Sequence, residues 1–174
     1  MRFSGQNIVI TGAGSGIGRA LAERFSEEGG SVLIVDQDQK GAEATLERLR
    51  AKGEEGSSRI AALDVTQLKE LQALVDELGV VNVWVNNAGI SAIGNIEQAT
   101  EEELDRVYSV NVKGVFNGMK AAVPAMKANG GGVILNMASI ASKIALPDRM
   151  AYSMSKGAVL TMTLAVARDY VDAG

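Results

Sequence analysis

The stretch that decides the fold is Asn7-Ile-Val-Ile-Thr11-Gly12-Ala13-Gly14-Ser15-Gly16-Ile17-Gly18. An apolar, β-branched run over residues 7–11 has the length of a buried strand and passes directly into four glycines within seven residues. The period then changes. Ile17, Ala20, Leu21 and Phe25 recur at helical spacing, which predicts a helix over 17–28. A glycine turn between strand and helix lets backbone N–H groups and the helix N-terminus face a pyrophosphate, because no side chain blocks the approach. The spacing is GxxxGxG, from Gly12, Gly16 and Gly18, rather than GxGxxG, since position 17 is Ile. A tight turn with close helix–strand packing is the other reading, but it needs fewer glycines.

The same alternation continues outward. Strands are expected over 31–35, 59–63, 81–85 and 133–136. Helices are expected over 39–52, with Ala42, Leu46 and Leu49 aligned, and over 66–78, with Leu68, Leu71, Leu74, Val75 and Leu78. Thr100 and Glu103 form a capping-box pattern. They open a helix to about residue 128, with a bend expected near Pro124. A last helix is expected over 151–171, with Gly174 as its stop. Residues 53–58 are the most polar stretch and are expected to form a surface loop, and residues 129–132 a turn. Strands alternating with helices at this spacing imply βαβ units, hence an α/β fold of Rossmann type. It is a doubly wound parallel sheet with helices on both faces, three layers in all.

A length of 174 residues suggests one domain, here 1–174. With 47% hydrophobic and 22% charged residues, the chain has the composition of a folded globule rather than a disordered one. Net charge is −4, which leaves no basic footprint for nucleic acid. There is no Cys, which excludes disulfides, thiolate nucleophiles and cysteine metal sites. It also fits a reducing compartment, so a cytoplasmic location is expected. There is no His either, which removes Ser-His-Asp chemistry and imidazole zinc sites, and no metal is expected. Proton transfer near neutral pH must then use Tyr, Lys, Asp, Glu or a bound cofactor. The opening MRFSGQNIVITG has no apolar core of signal-peptide length, and no apolar run is long enough to span a bilayer. Neither a leader nor a membrane partner is expected.

Asp36 closes the second strand, 18 residues after Gly18. A carboxylate there can accept hydrogen bonds from adenosine ribose hydroxyls and would repel a 2′-phosphate. Positions 37 and 38 are Gln and Asp, and position 15 is Ser, so no basic residue is placed to welcome that phosphate. The expected cofactor is NAD rather than NADP. Alone, Asp36 could be a solvated strand end.

Later residues complete a pattern that resembles the short-chain dehydrogenase/reductase family. The resemblance rests on TGAGSGIG at 11–18, Asp64-Val65, Asn86-Asn87-Ala88-Gly89, Asn111, Ser139 and Tyr152-Ser-Met-Ser-Lys156. A lone YxxxK would be weak, but six landmarks in family order span almost the whole chain. The resemblance implies a nicotinamide-dependent oxidoreductase acting on an alcohol–carbonyl pair, with strand order 3-2-1-4-5. It implies cofactor contacts from Gly12, Ser15, Gly16, Ile17, Gly18, Asp36, Asp64, Val65, Asn87, Ala88, Gly89, Tyr152 and Lys156. Within that set Asn87 is read as mainly structural, Asp64 or the Val65 backbone is expected at the adenine, and Lys156 at the nicotinamide ribose. Asp64 could instead cap the helix that starts near Thr66.

The chemistry also follows from the residues. Tyr152 and Lys156 are four apart, so on a helix they share a face. Oxidising a secondary alcohol needs a base for the hydroxyl proton as hydride leaves carbon. A phenol, with a reference pKa of about 10, needs a nearby positive charge for that task, which Lys156 and a nicotinamide ring can supply. Ser139 lies 13 residues before Tyr152 and can hold the substrate oxygen, or it could merely cap a loop. The family uses Asn111 to position a water in a proton relay to Lys156. Otherwise Asn111 is a helix irregularity. The catalytic set is thus Asn111, Ser139, Tyr152 and Lys156.

The family normally continues beyond a helix like 151–171, so the chain resembles a C-terminally shortened member that leaves its fifth strand as an edge. Two function classes stay open: an active NAD-dependent dehydrogenase, or a non-catalytic dinucleotide-binding fragment or pseudoenzyme. Residues 140–150 and 91–95 are expected at the pocket mouth. Lys143 and Arg149 there suit an anionic or sugar-acid substrate, or simply solvated charges. The helices over 101–128 and 151–171 carry long apolar faces. Leu104, Val107, Tyr108, Val115 and Met119 line one, and Val159, Leu160, Thr163, Leu164 and Ala167 the other. Met126, Met150, Met154 and Met162 add further apolar surface, which together with the resemblance suggests a homodimer or homotetramer. The other reading is that the methionines fill the core.

Overall fold

The structure is a computed structural model that describes residues 1–53 and 56–174. Five parallel strands form one sheet: β1 (Asn7–Thr11), β2 (Ser31–Asp36), β3 (Arg59–Ala62), β4 (Val83–Asn86) and β5 (Val133–Asn136), in the order β3-β2-β1-β4-β5. The helices are α1 (Gly16–Glu27), α2 (Gln39–Ala51), α3 (Leu68–Leu78), α4 (Glu101–Tyr108), α5 (Gly114–Ala128) and α6 (Met150–Asp169). The expected loop over 53–58 includes Glu54 and Glu55, which lie outside the described residues.

The two-residue period of the strands sorts the core. On one face Ile8, Ile10, Val32, Ile34, Val83 and Val85 pack against Ala22 of α1 and Ala42, Leu46 and Leu49 of α2. On the other, Val9, Leu33, Val35 and Trp84 meet Leu71, Leu74 and Val75 of α3 and Ala121, Ala122 and Met126 of α5. Burial of each large side chain here contributes about 1.5–3 kcal/mol. Central strands buried on both faces read as continuous apolar runs, which is why NIVIT and SVLIVD were legible. Val115, Met119 and Val159 join α5 to α6. At the sheet edge, Val133 and Leu135 of β5 are exposed.

Several expectations are corrected. The helix expected from 101 to about 128 is divided by a π segment, Ser109–Lys113, at Asn111, which the sequence also reads as a helix irregularity, and Pro124 lies inside α5. The buried amide of Asn111, at the middle of that segment, is the cause described below. Only half of the capping box forms. Thr100 Oγ1 accepts from the Glu103 N–H at 3.2 Å. The Glu102 carboxyl, rather than Glu103, lies against the Thr100 hydroxyl, and its pKa is held low by its own backbone N–H and then by that hydroxyl. Helix α3 starts at Leu68, because Asp64 Oδ1 accepts from the Thr66 N–H and the Asp64 carbonyl from the Gln67 N–H, making a turn first. Helix α6 ends at Asp169, capped by the Tyr170 N–H on Val166. Gly174 is no cap, and its carbonyl accepts from the Gly132 N–H at 3.0 Å. Val107, Val115, Met119, Met126 and Val159, assigned to a partner surface, are buried within the chain. Tyr108, Leu164 and Met154 remain exposed, and Phe116 joins them.

Candidate active site

Parallel strands deliver their carboxyl ends to one edge, and a cleft of about 380 Å³ opens there. Its lining includes Gly12, Ser15, Gly16 and Ile17 from the glycine loop, Asp36 from the end of β2, Asp64 and Val65 after β3, and Asn87, Ala88 and Gly89 after β4. Gln37, Leu63, Ile90 and Val110 also line it and were not expected. No motif marks these four. Their neighbours in sequence were the available signal.

The glycines divide their work. A Cβ on Gly12 would lie 2.8 Å from the Ala88 Cα, and one on Gly18 would strike the Gly12 carbonyl oxygen. These two glycines let β1, α1 and the β4 turn close on one another, and Gly18 sits behind the cleft wall. Gly12 and Gly16 both have positive φ, +66° and +51°, but Gly16 differs in that the space beside its Cα is open. Ser15 caps α1 without a side-chain hydrogen bond, and the first turn has no acidic residue. Among the described residues no carboxylate accepts from the N–H groups of that turn, which is a fit for a pyrophosphate.

Asn87 fastens the two halves of the cleft. Its Nδ2 donates to the Thr11 carbonyl at 3.0 Å and the Gly12 carbonyl at 3.2 Å. Its N–H and that of Ala88 both reach Thr11 Oγ1 at 3.1 Å, and that hydroxyl donates to the Val85 carbonyl. The Val65 carbonyl accepts from Asn117 Nδ2 at 2.9 Å. Asp36 accepts from the N–H groups of Gly14 at 2.8 Å and Asp38 at 3.0 Å. A carboxylate offers about four lone-pair sites, so acceptor capacity remains on the cleft side.

The other expected residues, Asn111, Ser139, Tyr152 and Lys156, lie together beyond Gly89. Lys156 is buried, and its Nζ donates to the Met137 carbonyl at 2.6 Å and stands 5.8 Å from the centre of the Tyr152 ring. Burial lowers its pKa below the ordinary lysine value, since removing water disfavours the charged form. A Cβ on Gly89 would be 3.5 Å from Lys156 Nζ and 3.3 Å from Asn111 Oδ1, so this group adjoins the cleft. Tyr152 and Lys156 themselves do not line the cleft walls.

Asn111 is fully buried. It accepts from the Ile90 N–H at 2.8 Å, and its Nδ2 donates to the Ile90 carbonyl at 2.9 Å and Ser155 Oγ at 3.0 Å. Ser139 caps the short 3₁₀ turn Ile140–Ser142, its Oγ accepting from the Ala141 N–H at 3.2 Å. Ser142, absent from the expected set, accepts from the Ser139 N–H and donates to the Lys156 carbonyl at 2.8 Å. That tie holds the Ser139 turn against α6. The two segments expected at the pocket mouth are joined, since the Gly94 N–H donates to the Asp148 carbonyl at 3.0 Å.

Comparison with known proteins identifies relatives in sequence and in fold. Residues 6–174 match the family described as short chain dehydrogenase. An uncharacterized oxidoreductase of Thermotoga maritima is 43% identical over 176 residues, a match that covers all of this chain and 69% of the relative. A short-chain dehydrogenase/reductase from Burkholderia phymatum, solved with NAD, superposes with a TM-score of 0.93 at 35% identity, covering 100% of this chain and 63% of that one. A metagenomic short-chain oxidoreductase solved with NADP gives a TM-score of 0.92 at 29% identity, covering 99% and 80%. The chain belongs to the short-chain dehydrogenase family.

Proposed function

We propose that the chain carries the dinucleotide site and catalytic residues of an NAD-dependent oxidoreductase acting on a secondary alcohol or ketone. The observation that carries this reading is the approach of Lys156 Nζ to 5.8 Å from the Tyr152 ring centre, beside Gly89 of the glycine-walled cleft. Asp36, with acceptor capacity toward the cleft and no basic neighbour at 37 or 38, favours NAD over NADP.

A bound nicotinamide would supply the acceptor or donor of the hydride. Tyr152 takes the hydroxyl proton in oxidation and gives it back in reduction. Lys156 places a donor and a positive charge on the Tyr152 side of the site, and it would hold the nicotinamide ribose. Ser139 Oγ accepts from Ala141 and keeps its O–H for the substrate oxygen. Asn111 holds Ile90 and α6 in place. Both hydrogens of its Nδ2 go to protein partners and Oδ1 accepts from the Ile90 N–H, so a water ordered by this side chain would have to donate to the remaining lone pair of Oδ1. The absence of cysteine supports a cytoplasmic setting. The exposed Tyr108, Phe116, Met154 and Leu164 support a homodimer or homotetramer built through these helices.

The test is Tyr152→Phe. Calorimetric titration should show NAD affinity retained, while turnover of a panel of secondary alcohols falls by about 10²–10⁴. Wild-type turnover in the Phe variant overturns the assignment.

A further inference from the structure

Thr45 is completely buried in α2, and its hydroxyl sits against the back of the glycine loop. It accepts from Arg19 Nε at 3.0 Å, and its single hydrogen is shared between the Ala13 carbonyl at 2.9 Å and the Gly41 carbonyl at 3.1 Å. Arg19 also donates from Nη2 to the Gly14 carbonyl. Among the described residues Arg19 forms no ion pair, so its hydrogen bonds are spent on the loop and Thr45.

The peptide unit between Ala13 and Gly14 is therefore held at both ends. Its carbonyl meets Thr45, and its N–H donates to Asp36 Oδ2 at 2.8 Å. A Cβ on Gly14 would lie 2.8 Å from that same oxygen and 3.1 Å from the Ala42 N, so α2, loop and carboxylate pack without slack. We infer that Thr45 and Arg19 are positioning residues that set the dinucleotide preference of the site, Thr45 by holding the Ala13–Gly14 peptide against Asp36 and Arg19 by holding Thr45 and the Gly14 carbonyl that follows. The inference rests on the reading that Asp36 selects NAD. Without the Thr45 hydroxyl the peptide can rotate, and Asp36 loses its Gly14 partner. A carboxylate that swings presents its free lone pairs to ribose hydroxyls less often, and it repels a 2′-phosphate less. Both effects narrow the preference. A support that merely held the loop would weaken both dinucleotides equally, because they share the pyrophosphate.

The test is calorimetric titration of NAD and NADP, without substrate, against wild type, Thr45→Val and Thr45→Ser. The Val variant keeps shape and removes the hydroxyl, and the Ser variant keeps the hydroxyl. NAD affinity should fall about tenfold in Thr45→Val, the value of one hydrogen bond, with NADP affinity changed less than about twofold. Thr45→Ser should stay near wild type. An unchanged ratio in Thr45→Val, or an equal loss for both dinucleotides, overturns the inference alone. A wild type without NAD preference overturns the Asp36 reading and the inference with it. If Thr45→Val does not fold, Arg19→Gln at the half-buried position carries the same expectation through the Gly14 carbonyl.

Discussion

The amide of Asn111 lies 3.0 Å from the hydroxyl of Ser155, and this bond ties the π segment to the turn of α6 between Tyr152 and Lys156. Ser155 in turn donates to the Tyr152 carbonyl at 2.7 Å. Asn111→Ala would leave the Ile90 N–H and carbonyl without their partner and remove the link to α6. Stability should fall by about 3 kcal/mol, measured by denaturant unfolding. Ser155→Ala should cost less, about 1 kcal/mol, because Asn111 keeps Ile90. Equal losses in the two variants would show that the Ile90 contacts are of no consequence.

Gly18→Ala should be among the most damaging single-methyl changes in the chain. The added carbon meets the Gly12 carbonyl oxygen and Asn87 Nδ2, both fixed by hydrogen bonds. Overpacking there should cost about 1–3 kcal/mol and lower dinucleotide affinity together with the thermal midpoint. Gly16→Ala has open space but a positive φ, so its cost should be smaller, about 1 kcal/mol.

Burial of Lys156 makes stability depend on pH in a definite direction. Its folded pKa is lowered, so between the folded value and the ordinary lysine value of 10.5 the unfolded chain binds more protons. Stability from this group rises as pH climbs through that window and is lost as pH falls through the folded pKa. Relative to Lys156→Met, the wild type should gain unfolding free energy on approaching pH 10.5. Parallel stability profiles for the two proteins would contradict this.

Leu164 is 64% exposed on α6. If Leu164, Tyr108, Phe116 and Met154 form the self-association surface, wild type should sediment as a dimer or larger and Leu164→Asp as a monomer. A clean wild-type monomer at micromolar concentration would refute the assembly.

Much of the fold was legible because buried parallel strands announce themselves as apolar runs. The boundaries that slipped have local causes, such as the Asp64 turn that delays α3. That Asn111 could be a helix irregularity was legible, but the π geometry was not, since Asn111 gains its three hydrogen bonds only from Ile90 and Ser155, residues distant in sequence. The same holds for the polar chain behind β4. Trp84 Nε1 donates to Asn86 Oδ1, Asn86 Nδ2 to Asn136 Oδ1, and Asn136 Nδ2 to Thr163. Motif residues located the cleft walls, yet Arg19, Thr45 and Ser142, which brace them, lie outside any motif. Bracing depends on which helix packs where, and single-sequence periodicity does not carry that.

The sheet order has a kinetic consequence. Strand β1 pairs with β2 across a short connection, Asn7 opposite Ser31, so β1, α1, β2 and α2 form a local unit. The glycine loop and Asp36 both belong to it. The opposite wall arrives only when β4 docks on β1, bringing Asn87 to Thr11 from 76 residues away. Closing that long loop makes β1–β4 association the slow, nonlocal step. Dinucleotide binding during refolding should therefore lag behind the first burial of α1 and α2. The ligand would stabilise the completed sheet rather than guide its start, so excess dinucleotide should slow unfolding and leave the refolding rate unchanged.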